Sequence, residues 1–206
     1  APRPNHTVIN YLKKMGLNEK KAHHVYTSGQ AALDQLKNMD YEKFFHIGPP
    51  RDFDLFKTFE NQKVEKIDSC DFLLCTGLFD EHESELTFYE KLLIDHIEKK
   101  MICTNPDLVV DRGKEREFCA GTVAKIFEKL GGKVKYFGKP FPEVYEKAIK
   151  NLRGKKVICI GDNLNTDIKG ANMQNFDSLF INNGIHKNEI SNGIKELTKK
   201  YNVNVN

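Results

Sequence analysis

In the stretch 155–171, KKVICIGDNLNTDIKGA, two carboxylates stand five residues apart, Asp162 and Asp167. The apolar run 157–160 ahead of them is closed by a glycine, which predicts a strand buried on both faces of a parallel sheet. Such sheets collect chemistry at the carboxyl ends of their strands. Asp162 falls at that end, and past the polar turn Asn163-Leu164-Asn165 a helix is expected to open near Thr166-Asp167. Two carboxylates so placed suit a hard, oxygen-preferring cation such as Mg2+. The same residue types also serve plain structure, Asp167 as a helix cap and Asp162 in a turn. Upstream, KVKYFGKPFPEVY (133–145) repeats the design: a strand, Gly138-Lys139-Pro140, then a helix entered through Pro142. Lys139 is thereby expected at a second strand end, a compact positive charge suited to a phosphoryl group. A solvated lysine is the ordinary alternative.

GKP-x-P followed by a strand ending in GDNLNTDIKGA resembles the haloacid dehalogenase-like (HAD) phosphohydrolases, and subfamily IIA in particular, whose members resemble sugar-phosphate and nucleotide phosphatases. Thr104-Asn105-Pro106-Asp107 after the strand 101–103, and Tyr26-Thr27-Ser28-Gly29 at the end of an early strand, extend the resemblance. The four segments keep the family's order and span most of the chain. The resemblance implies a doubly wound, parallel, Rossmann-like α/β core with an inserted α/β cap. The expected division is core at 1–39, cap at 40–101 and core again at 102–206. It further implies an aspartyl-phosphate mechanism, with Mg2+ held by Asp162 and phosphoryl oxygens met by Lys139. Asp167 would hydrogen-bond the lysine or a metal-bound water, while Asn105 and Asp107 would orient the substrate or fix a hinge.

The elements that must position these groups come from an ordinary globular composition. The 206 residues are 39% hydrophobic and 30% charged, enough for one core, or a core with a small inserted domain. A net charge of +3 is too slight and too dispersed to argue for nucleic acid. Neither a signal peptide nor a membrane-spanning apolar run is present in the sequence. Five cysteines without CxxC spacing, Cys103 and Cys159 among them in core strands, fit a reducing cytoplasm better than a disulfide framework. The partner read from this is a small phosphorylated metabolite, with no nucleic acid or membrane partner; a homodimer is compatible with it.

Along the chain, Val8, Ile9, Leu12 and Met15 recur at helical spacing before Gly16. A short strand is expected at 25–27 and a helix at 31–36, and the pair His23-His24 reads as solvated. Strands are expected at 44–47 and 72–75, with an amphipathic helix on Leu86, Tyr89, Leu92, Leu93 and Ile97. The acidic run 80–85 would favour the positive end of that helix, with Asp80 and Glu81 also able to face a substrate. After 105 a loop begins at Arg112-Gly113, followed by a helix on Val123, Ile126, Phe127 and Leu130. A strand at 178–181 and a basic terminal helix from 194 complete the alternation.

Family members carry a nucleophile segment, an apolar strand followed by DxD. The single DxD here, Asp52-Phe53-Asp54, follows Pro49-Pro50-Arg51 instead of a strand and reads as a helix entry. The chain is therefore expected to be truncated, with its nucleophile elsewhere and no activity of its own. Two other readings share these residues: a short form that binds a phosphorylated metabolite without turnover, and a receiver-like doubly wound domain. The long segment 41–100 argues against the last.

Overall fold

The computed structural model describes all residues except 19, 21–23, 40–41, 114, 151, 153 and 206; His23 and the expected 39/40 boundary fall outside the described residues. The chain forms two compact units, Ala1–Gly138 and Lys139–Asn206.

The first unit is built on a parallel sheet. Its strands are β1 (Phe44–Ile47), β2 (Lys63–Val64), β3 (Phe72–Cys75), β4 (Lys100–Cys103) and, past a hairpin, β7 (Lys133–Tyr136), ordered β2-β1-β3-β4-β7. This is the α/β architecture with a parallel, helix-flanked sheet that the sequence predicts. Central β3, FLLC, is buried along its whole length, as a strand covered on both faces must be. Phe44, Phe56 and Phe72 meet in one ring cluster, with Phe44 5.4 Å from Phe56 and 5.8 Å from Phe72. Between β3 and β4 runs α3 (Leu86–Leu93), and between β4 and β7 runs α4 (Ala120–Lys129), which buries Val123, Ala124, Ile126 and Phe127. β4 straddles the expected 101/102 boundary and pairs with β3 on one side and β7 on the other, so strands read as cap and as core share one sheet.

Several expectations give way here. The helix expected before Gly16 is α1 (Asn5–Lys14), but residues 25–27 form no strand: the Thr27 hydroxyl accepts the Gln30 amide at 3.0 Å and caps α2 (Ser28–Leu36) instead. The loop expected at 112–113 is the turn of an antiparallel hairpin, β5 (Val109–Arg112) with β6 (Glu115–Phe118). The acidic run does not fill the first turn of α3. Asp80–His82 makes its own 3₁₀ turn, where Asp80 pairs with Arg51 and the His82 ring stacks on Phe88 at 3.7 Å.

The second unit joins α5 (Pro142–Ile149) to a two-stranded parallel sheet, β8 (Ile158–Gly161) with β9 (Asp177–Phe180), and ends in α7 (Ile194–Tyr201). α6 (Lys169–Met173) follows a π-helical turn at Leu164–Ile168, so the helix expected near 166 begins earlier and wider. Leu164, Ile168, Leu197 and Val203 form this unit's core. β8 is not buried on both faces: Ile158 is 56% and Ile160 62% exposed, because β9 is its one partner among the described strands.

Candidate active site

β8 delivers Asp162 immediately past its last residue, as its apolar run predicts. The carboxylate is half-buried, and its Oδ2 accepts the Ile185 amide at 3.0 Å. Its other oxygen has no hydrogen bond among the described residues. Gly184 stands against the same side chain: a Cβ there would lie 2.1 Å from Oδ2 and 2.3 Å from the Asp162 Cβ. Glycine at 184 is thus what lets the 182–186 turn close over Asp162.

Asp167 sits inside the π-helical turn, and its side chain is only 9% exposed. Oδ1 accepts from Lys139 Nζ, and Oδ2 accepts the Asn163 amide at 3.1 Å. The backbone returns the favour, Asp167 N–H donating to the Asn163 carbonyl at 2.8 Å. Gly161 makes room for this carboxylate, since a Cβ there would fall 2.1 Å from its Cγ. A π-turn adds one residue per turn and recurs at functional sites, because it re-aims side chains that an α-helix would space differently. Lys139, which precedes Pro140 in a cis peptide bond, keeps nearly half of its side chain exposed while Asp167 is buried. Its ammonium is therefore held in place from behind and open in front. A charge-assisted bond of this kind is stronger than a neutral one and fixes the direction of the lysine.

In the first unit, Asn105 and Asp107 follow β4, as expected. The Asn105 side-chain oxygen accepts the Asp107 amide at 3.3 Å, and the Asp107 carbonyl accepts the Gly121 amide at 3.2 Å, which docks the turn on the start of α4. Both residues line a cavity of about 670 Å³ with Arg3, Asp52, Thr76 and Arg116. Asp52 and Asp54 lie in a 3₁₀ helix, Pro50–Leu55, and both pair with Arg3, at 3.3 and 3.5 Å. Burial raises the Asp52 carboxyl, with Arg3 opposing. The DFD triplet thus lies in a short helical turn, as the sequence reading of a helix entry expected.

The structure thus gathers Lys139 and Asp167 into one contact beside the loop that carries Asp162, and places Asn105 and Asp107 in the other unit. The sequence reading passed over the partners of these groups: Gly184, Ile185 and His186, in a stretch legible only as a turn. Among the described residues no three or more His, Cys, Asp or Glu side chains cluster to hold a metal, so any cation at Asp162 takes further ligands from elsewhere.

A family model described as HAD-hydrolase-like matches residues 136–202. Among solved structures, a haloacid dehalogenase-like family hydrolase from Brucella suis 1330 is 31% identical, with a TM-score of 0.76, covering 90% of this chain and 74% of its own. A double-mutant thermostable NPPase from Geobacillus stearothermophilus is 25% identical, with a TM-score of 0.64, over 89% of this chain and 74% of its own. A glycerol phosphate phosphatase from Mycobacterium tuberculosis, in complex with magnesium, shares the fold at 21% identity and a TM-score of 0.64, over 89% of this chain and 56% of its own. No curated protein matches the chain significantly. The identity and coverage shared with the Brucella suis hydrolase settle the family: the chain belongs to the haloacid dehalogenase-like hydrolases.

Proposed function

We propose that this chain belongs to a Mg2+-dependent phosphatase of a small phosphorylated metabolite, a sugar phosphate or a nucleotide. It would act through an aspartyl-phosphate whose nucleophile lies outside these 206 residues. The observation that carries this reading is the Lys139–Asp167 contact beside the Asp162 loop. A phosphate ester repels an anionic nucleophile, so a site for this chemistry needs fixed positive charge. Lys139 supplies it at the phosphoryl oxygens, and Asp167 holds the ammonium in position without reaching the substrate. Asp162 fits Mg2+ as a ligand, being a partly exposed carboxylate with one oxygen uncommitted, and Mg2+ commonly takes one or two carboxylates and keeps its waters. When bound, the ion neutralises phosphoryl charge and orients the ester. The Mycobacterium tuberculosis phosphatase, solved in complex with magnesium and with calcium, supports a divalent cation here. Asn105 and Asp107 contribute to substrate binding at the end of β4, and residues 40–101 act as the cap. All five cysteines are free thiols, which supports a reducing, cytoplasmic setting. Among the described residues no helix is long and apolar enough to cross a membrane.

The engagement of Asp52 and Asp54 with Arg3 favours one further reading for the 206 residues alone, that they bind a phosphorylated metabolite without turning it over. Both are tested by assaying p-nitrophenyl phosphate, sugar phosphates and nucleotides with Mg2+. The 206-residue chain is expected to show no turnover. A longer product of the same gene that contains an apolar strand and DxD is expected to show it, and to lose about 100-fold or more on Asp162→Asn or Lys139→Met. Mg2+-dependent turnover by the 206 residues would place the nucleophile inside them and overturn the proposal. Binding without turnover by the longer product would favour the binding module.

A further inference from the structure

The loop that carries Asp162 and Asp167 is held from behind by a chain of polar groups. Leu164, fully buried, opens the π-helical turn, and at that position its amide has no partner within the helix. It donates instead to His186 Nε2 at 3.1 Å. An N–H can only donate, so Nε2 must offer a lone pair. The ring proton then resides on Nδ1, which lies 2.8 Å from Glu189 Oε1 and donates to it. Glu189 is fixed in turn from α7, accepting from Lys200 Nζ at 2.6 Å and from the Tyr201 hydroxyl at 2.9 Å. His186 is 4% exposed, with the Tyr201 ring edge-on at 4.7 Å.

We propose that His186, kept by Glu189 as its neutral Nδ1–H tautomer, is the positioning residue of the Asp162–Asp167 loop. Two residues before His186, the glycine at 184 and the following Ile185 amide press on the Asp162 carboxylate. Two residues after Asp162, the Leu164 amide is drawn to the His186 ring. The segment 184–186 therefore grips the loop at two points, one on the ligand itself and one on the backbone that leads to Asp167. The inference rests on the reading of Asp162 as a metal ligand. It adds a partner that acts through the backbone, as outer groups around a metal site commonly do. The other tautomer would place a proton on Nε2 against the Leu164 N–H, two donors facing each other, and would release the loop.

The first test needs no variant. A long-range 15N–1H spectrum of the wild-type chain at neutral pH is expected to show the His186 proton on Nδ1 and a bare Nε2. A proton on Nε2, or on both nitrogens, overturns the proposal. Three substitutions then separate positioning from packing. His186→Phe keeps the ring without the acceptor, and His186→Gln restores an acceptor near Nε2. Glu189→Gln keeps the size of the partner but permits the wrong tautomer. His186→Phe and Glu189→Gln are expected to speed hydrogen exchange of the Leu164 amide about 10-fold, the worth of one lost hydrogen bond. The same variants are expected to weaken Mn2+ binding, followed by electron paramagnetic resonance, about 10-fold or more, with His186→Gln recovering most of both losses. Unchanged Leu164 exchange in His186→Phe and Glu189→Gln overturns the inference. If the wild-type chain takes up no Mn2+ while tautomer and exchange behave as stated, the assignment of Asp162 fails and the positioning role of His186 stands.

Discussion

His46 shows how a single side chain ties this fold to pH. It lies on β1, buried, with Nε2 2.8 Å from the Thr76 hydroxyl and its ring 4.4 Å from that of Phe56. Burial, helped by Lys63, pushes its pKa down from 6.5 to about 3. Between those values the unfolded chain binds a proton that the folded chain refuses, so stability falls as pH drops through the window. Wild type is expected to lose up to about 1.4 kcal/mol per pH unit more than His46→Gln between about pH 6 and 4, in urea unfolding followed by circular dichroism. Equal slopes for the two proteins would mean that His46 is already charged in the folded state. A buried, pH-sensitive histidine is not visible in FFHI, which reads simply as a strand. Lys139 and Asp162 were legible because each follows a glycine at the end of a predicted strand, where the sheet's geometry leaves few places for a side chain to go, and Asp167 because the next helix was expected to open beside it. Gly184 and His186 were not, since their meaning lies in a neighbour more than twenty residues back along the chain.

Elements dock here through backbone, and α4 is the plainest case. Gly121, in its first turn, lies where an added Cβ would fall 2.3 Å from the Pro106 carbonyl oxygen and 2.5 Å from that of Asp107. Both atoms are main chain, so neither can step aside cheaply. Gly121→Ala is expected to separate α4 from the Asn105–Asp107 turn at a cost of about 1–3 kcal/mol, the usual range for overpacking, measured as a drop in urea unfolding free energy. A neutral result would mean the turn rides freely on the helix. At this scale the sequence was read well where burial is strong: FFHI, FLLC and KMIC are strands, and the apolar stripe of α4 is a helix. It was read badly at the hairpin, since Glu115-Arg116-Glu117-Phe118 is mostly exposed and offers no apolar face to detect. It was also read badly at Val25-Tyr26-Thr27, where β-forming residue types yield to a threonine that caps a helix. Propensity is a weak preference, and one local hydrogen bond suffices to reverse it over three residues.

Taken whole, the molecule divides its apolar residues unequally, and that inequality is measurable. The first unit seals β3 inside its sheet, with Leu73 and Leu74 fully buried. Among the described residues the second unit rests on two strands, and two strands make a marginal sheet unless something covers a face. Ile158, Ile160 and Leu179 are 56%, 62% and 45% exposed on those strands, although the run 157–160 carries the composition of a core strand. Apolar composition states what a segment can bury; the number of neighbouring strands decides what it does bury. Leu74→Ala is accordingly expected to cost about 2–5 kcal/mol in this chain, through lost transfer energy and the cavity left behind. Ile160→Lys is expected to lie within about 0.5 kcal/mol of wild type, as an exposed substitution should. Urea unfolding of the two variants beside wild type decides the matter. If Ile160→Lys costs as much as Leu74→Ala, the β8–β9 face is covered in solution, and the same chain at several concentrations would show whether a second copy covers it. If the difference holds, the second unit keeps its fold through the Leu164, Ile168, Leu197 and Val203 cluster, the cluster whose first member hangs from His186.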